Sequence, residues 1–235
     1  LDTQLIAILL LVELVLLIST AAPLSLSGRF KEAPNLGILT WLLLLSSAIA
    51  ATVSAVLIAA SFVFQSYFEL QSGGGLLETL AVSFAPWLLL GFGGVLLAIT
   101  NLRLAPYFEA KAQDLDLGLL ATKHTERFEG VVVRELSLPG YFAIARNNQI
   151  FLSTAALQLP IEQKRAVLWH ELGHLKLGHS RLRAISAFAV MAAPWFLVSR
   201  VFDFELQRLC ELAADNYALK RVDIKTLRRA RSLFL

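Results

Sequence analysis

Residues 37–64 contain no charged side chain, and neither do residues 80–102. A hydrocarbon core of about 30 Å is crossed by roughly 20 helical residues, so each run is long enough to span a bilayer. A third run, residues 5–22, is apolar apart from Glu13, Ser19 and Thr20 and spans narrowly. Hydrophobic residues make up 57% of the chain and charged ones 17%, too apolar for an ordinary soluble domain, and the excess lies N-terminal to Leu102. The expected class is a mostly α membrane protein with three transmembrane helices over residues 1–102.

The loops orient the spans. Arg29 and Lys31 lie between the first two runs, Glu69 and Glu78 between the next two, and Arg103 and Lys111 after the third. Lys and Arg mark the cytoplasmic side, so residues 103–235 are expected in the cytoplasm. Asp2 precedes the first run and no basic residue does, which favours a retained helix over a secretory leader. Leu1 is not an ordinary initiator and Met191 is the only methionine, so residues are expected to precede Leu1. Glu13 inside the first run is expected to face the bundle interior or a partner. A net charge of +3, with basic residues flanking apolar runs, fits topology and headgroup contacts and excludes nucleic acid as a partner. Cys210 is the single cysteine, so no internal disulfide framework exists.

Beyond Leu102 the pattern changes. Residues 105–118 are amphipathic and suit a membrane surface. Residues 128–136 (FEGVVVREL) read as one strand by their β-branched run. Residues 141–146 and 149–153 read as a hairpin joined at Asn147 and Asn148, since Asn tolerates positive φ. A helix then starts near Pro160 and runs toward Gly178. An extended substrate could add beside Asn148, Gln149, Ile150 and Phe151 as a further strand.

That helix carries His170-Glu171-Leu172-Gly173-His174. Histidines at i and i+4 share a helical face, so their imidazoles can converge on one Zn²⁺. Glu171 beside them could take a proton from the attacking water. Catalytic zinc needs a third protein ligand. His179, at i+5 from His174, points well round a continuous helix from it and is poorly aimed. Glu211 suits better: it stands at i and Asp215 at i+4 of one face, so Glu211 could bind the metal while Asp215 fixes the tautomer of a ligand histidine. His179 and His124 receive no role.

Residues 184–199 are apolar and uncharged, and lie between His174 and Glu211. A full crossing there would part the ligands by about 30 Å. Pro194 sits late in the run. The expectation is a half-buried helical hairpin, residues 184–205, turning near residues 193–195 and returning Glu211 to the cytoplasmic face.

HELGHLKLGH resembles the zinc helix of the HtpX-like and CAAX-prenyl membrane proteases. The whole arrangement, with PWFLVSRVFDFELQRLCELAADNYAL, resembles more the beta-lactam sensor-transducer (MecR/BlaR-type) metallopeptidases. The resemblance covers residues 120–222 well and the spans by layout. It implies a small α+β gluzincin (zincin-like) domain, one Zn²⁺ on His170, His174 and Glu211, Glu171 as base, and proteolysis facing the cytoplasm. The sequence ends at Leu235 without a further span or ligand-binding domain, so antibiotic sensing is not carried over.

The expected activity is that of an integral-membrane zinc endopeptidase, in a bacterial plasma membrane, with Tyr217 or Arg221 as candidate oxyanion donors. Its partners would be a protein or peptide substrate, the lipid bilayer, and a separate membrane sensor or a second copy of the chain. The basic residues 221–231 could rest on anionic headgroups. The alternative is a regulatory or scaffolding membrane subunit whose zinc site is structural or vestigial.

Overall fold

The computed structural model describes residues 3–70, 99, 102, 121–192 and 197–234. The expected span over residues 80–102 and the amphipathic stretch 105–118 lie essentially outside the described residues, as does the turn expected at residues 193–195. The chain divides into two compact units.

The first unit holds most of two long helices, α1 (Thr3–Leu26) and α2 (Pro34–Leu70). Within them Ile6–Leu26 and Pro34–Ser61 are long and apolar enough to cross a membrane. Leu9, Leu10, Leu16 and Leu17 of α1 and Leu43, Val53, Val56 and Leu57 of α2 are all more than half exposed. Such a continuous apolar surface is unfavourable in water and suits lipid. Glu13 is exposed among them rather than turned inward. Phe188–Phe202 is grouped with this unit too.

The second unit carries a four-stranded sheet and the remaining helices. Strands β1 (Ala121–Phe128), β2 (Val131–Leu136), β3 (Ala143–Arg146) and β4 (Gln149–Ser153) lie in the order β1-β2-β4-β3. The run expected as one strand over residues 128–136 is split, because Glu129 (φ 48°) and Gly130 (φ 81°) make a two-residue turn. Positive φ at both central positions gives the twist that antiparallel neighbours need. Asn147 (φ 49°) and Asn148 (φ 58°) turn β3 into β4 in the same way, as their side chains allow.

Strand β4 pairs parallel with β2 and antiparallel with β3. It is an interior strand, and Ile150, Phe151, Leu152 and Ser153 are buried accordingly. Among the described residues the open edge on that side is β3. A substrate strand placed at Asn148 to Phe151 is therefore corrected by the topology: Asn148 is in the turn, and Gln149, Ile150 and Phe151 already have neighbours on both sides.

Ser153 accepts from the backbone N–H of Ala156 at 3.2 Å and caps the short helix α3 (Thr154–Leu157). Helix α4 (Ile161–Lys176) begins after Pro160 and packs Val167, Leu168, Trp169 and Leu172 against Val131, Val133, Ile150 and Leu152 of the sheet. It stops at Gly178, whose φ of 68° no continuing helix permits. Helices α5 (His179–Ala192) and α6 (Leu197–Ala218) follow, then α7 (Ile224–Arg231) capped by Asp223. Ser186 donates to Asp203 at 2.7 Å and Arg183 donates to Glu211 at 2.5 Å, so α5 and α6 run antiparallel there. Gly28–Ile38, which holds the α1–α2 connection and the start of α2, belongs to this second unit. A Cβ on Gly37, in the first turn of α2, would stand 3.0 Å from Leu209 Cδ1 of α6, so the start of α2 packs close behind the segment that bears Glu211.

Candidate metal centre

Helical spacing alone stacks His170 above His174, and both are buried at 8% and 9% exposure. Their Nε2 atoms approach to 3.1 Å. Glu211 reaches the same point from α6, its carboxylate oxygens 3.3 Å from His170 Nε2 and 3.6 Å from His174 Nε2. Ligand atoms about 2.0–2.2 Å from a tetrahedral ion stand roughly 3.3–3.6 Å apart. The three edges match that triangle closely, and the donor set of two imidazoles and a carboxylate is one zinc accepts. Among the described residues this is the one such group.

Gly173 brings the two helices together. A Cβ there would lie 3.1 Å from Ala214 Cα and 3.2 Å from Tyr217 Cβ, so a hydrogen at this position lets α4 and α6 meet backbone to backbone. The glycine of the histidine motif thus sets the separation between the imidazoles and Glu211.

Both outer imidazole nitrogens have partners. Asp215, one turn beyond Glu211, places a carboxylate oxygen 2.8 Å from His170 Nδ1. His179 places its Nδ1 2.8 Å from His174 Nδ1, and is 1% exposed. Two cations complete the setting. Arg183 holds Glu211, while Arg231 of α7 holds Asp215 and stands 3.6 Å from Glu211.

These contacts set the proton affinities. Burial pulls the His170 imidazole down, but hydrogen bonds to Asp215 and Glu211 outweigh it, leaving a pKa raised to about 9. Burial and the neighbouring His170 charge take His174 down to about 3. Burial likewise takes His179 down to about 4, aided by Arg183. Burial lifts Glu171 to about 7. Burial would also raise Glu211, yet the bond from His170 and the nearby positive charges hold it well below the usual carboxylate range. A proton on His170 Nε2 and a cation at the triangle would compete for one lone pair.

A cleft of about 380 Å³ opens on this group. Ala143 and Ala145 of β3 form one wall, Leu227, Ala230 and Phe234 another, and Glu171 faces it. Glu171 also accepts a backbone hydrogen bond from Ala145, which ties it to the sheet edge.

Of the residues singled out in the sequence, His170, Glu171, His174, Glu211 and Asp215 come together here. Tyr217 and Arg221 do not. The Tyr217 ring packs 6.3 Å from that of Trp169, and the Arg221 guanidinium lies over the same indole at 5.4 Å. Neither lines the cleft, because Trp169, one residue before His170 and so turned about 100° round the helix, packs into the core cluster. The cations that do line it are Arg183 and Arg231, and with His179 they are the residues sequence reasoning missed. A third histidine in HELGHLKLGH was visible, but its direction depends on the helix break at Gly178.

A model of peptidase family M48 matches residues 106–233, more than half of the chain. Peptidases of this family depend on a metal, typically zinc, which fits the donor set above. No curated protein and no solved structure gives a significant match.

Proposed function

Since this chain belongs to peptidase family M48, we propose that it is an integral-membrane zinc endopeptidase, with His170, His174 and Glu211 holding the ion and Glu171 as general base. The observation that carries this reading is the triangle of 3.1, 3.3 and 3.6 Å between two imidazoles of α4 and one carboxylate of α6. Zinc at that point would supply Lewis acidity, polarising a carbonyl and lowering the pKa of water toward about 7.

The side chains supply the rest. An extended peptide adds antiparallel or parallel to β3, whose residues Ala143 to Ala145 form the cleft wall, and its carbonyl is thereby presented to the triangle. Glu171, held against Ala145, takes the proton of the attacking water and passes it to the leaving amine nitrogen. Arg183 and Arg231 keep the Glu211 and Asp215 carboxylates in place. Leu227, Ala230 and Phe234 give the cleft an apolar wall that favours an apolar substrate side chain.

Membrane integration is supported by the two candidate spans and by the apolar run at residues 80–102. A cytoplasmic catalytic unit is supported by Arg29 and Lys31, which mark the cytoplasmic side and lie in the same compact unit as the metal centre. The half-buried hairpin is supported by the grouping of Phe188–Phe202 with the spans. Kinship with the sensor-transducer proteases rests on the sequence resemblance alone.

The test is Glu171→Gln in the purified full chain. Zinc content, measured by elemental analysis, should equal that of the unmodified protein, and cleavage of an unfolded protein such as casein should fall by about 10²–10⁴. A variant that cuts at the normal rate would remove Glu171 from the role of base. Failure of the unmodified protein to bind zinc would remove the metal centre itself.

A further inference from the structure

We propose that His179 is a positioning residue for the metal centre, accepting a hydrogen bond from His174 Nδ1 and thereby fixing the tautomer whose Nε2 faces the ion. This rests on the reading of His170, His174 and Glu211 as ligands. The two Nδ1 atoms are 2.8 Å apart, so one proton lies between them. A lone pair on His174 Nε2, turned to His170 and Glu211, requires that proton to belong to His174. His179 is then the acceptor, and its own proton sits on Nε2.

Three observations make this contact a built one. Gly178, with φ 68°, ends α4 and starts α5 in a new direction, which swings His179 behind His174 instead of past it. The ring is 1% exposed, so water does not compete for its Nδ1. Its Nε2 is buried with no hydrogen-bond partner among the described residues, so no second contact dictates the ring orientation. A buried donor left unmet is uncommon, and here it accompanies a contact made at the other nitrogen.

The two imidazoles are thus supported unequally. His170 leans on a carboxylate, Asp215, which adds negative charge behind the ligand. His174 leans on a neutral ring, which orients without adding charge. Outer partners of this kind typically contribute 10–100-fold in metal affinity.

The experiment compares His179→Phe, which keeps a ring but offers no acceptor, with His179→Asn, whose side-chain oxygen can accept in place of Nδ1. Zinc affinity of the full chain in detergent is measured by competition with a chromophoric chelator. The Phe variant should bind about 10–100-fold more weakly, and the Asn variant should stay within a few-fold of the unmodified protein. Equal affinity in the Phe variant, or equal loss in both, overturns the proposal. ¹⁵N-histidine NMR of the unmodified zinc-loaded protein tests it without any substitution. The proposal requires His179 protonated at Nε2 alone, and a proton on its Nδ1 overturns it. Absence of zinc from the unmodified protein would instead defeat the ligand assignment on which the proposal stands.

Discussion

Asp215 stands 2.8 Å from His170 Nδ1, on the side of the ring away from His174 and Glu211. It lies one turn beyond Glu211, so a single stretch of α6 delivers both a candidate ligand and the carboxylate behind another. Asp215→Ala should therefore lower zinc affinity about 10–100-fold while leaving the fold intact. Chelator competition measures it, with circular dichroism as the check on folding. Unaltered affinity would mean that His170 is oriented by its packing alone.

Gly173 sets the separation between the imidazoles and Glu211. Alanine gains about 1 kcal/mol in helix propensity over glycine, which offsets part of an overpacking cost of about 1–3 kcal/mol. Valine gains little and adds two methyl groups against Ala214 and Tyr217. Gly173→Val should lower Tm and weaken zinc binding at least about tenfold, because α6 must move and Glu211 moves with it. Calorimetry and metal titration on the same sample read both effects, and a lowered Tm with intact zinc affinity would separate the glycine from the site.

Gly178 holds φ at 68°, where a side chain costs about 1–2 kcal/mol. A Cβ there meets nothing within 4 Å, so the cost of Gly178→Ala is purely conformational. The expected fall in Tm is roughly 2–8 °C. An unchanged Tm would show that the turn between α4 and α5 relaxes freely.

Removal of the metal should act on stability as well as activity. An ion bound by the folded chain alone stabilises it in proportion to ln(1 + [Zn²⁺]/Kd), about 2.7 kcal/mol at a hundredfold excess over Kd. Treatment with 1,10-phenanthroline should abolish cleavage and lower Tm, and added zinc should restore both. Activity that survives complete removal would refute metal dependence.

Lys31 and Lys220 are both exposed and both belong to the unit that carries the metal centre. Lys31→Cys and Lys220→Cys should therefore be labelled by an impermeant maleimide from the same side of sealed vesicles. Cys210 is buried and gives little background. Labelling from opposite faces would contradict the orientation proposed from Arg29 and Lys31.

What is local could be read from the residues alone. Uncharged runs dictate membrane-length helices because unpaired backbone must bond within its own segment in lipid. The Asn147–Asn148 turn followed from the positive φ that asparagine tolerates. The convergence of His170 and His174 followed from a period of 3.6 residues. Glu211 and Asp215 were also legible as a pair, since i and i+4 share a face wherever the helix lies. Long-range packing decided the remainder. Local strand pattern does not say which strand is inserted between which, so the parallel pairing of β2 with β4, and with it the passage of the open edge to β3, came only with the fold. His179 depended on a change of helix direction at one glycine, and Arg231 on a helix that docks from the end of the chain. Tyr217 and Arg221 lie close to Asp215 in sequence yet meet Trp169, because helix rotation turns Tyr217 away from the cleft and the turn after α6 lays the exposed Arg221 over the indole. Spacing fixes which side chains share a face; only packing against the rest of the chain fixes what that face meets.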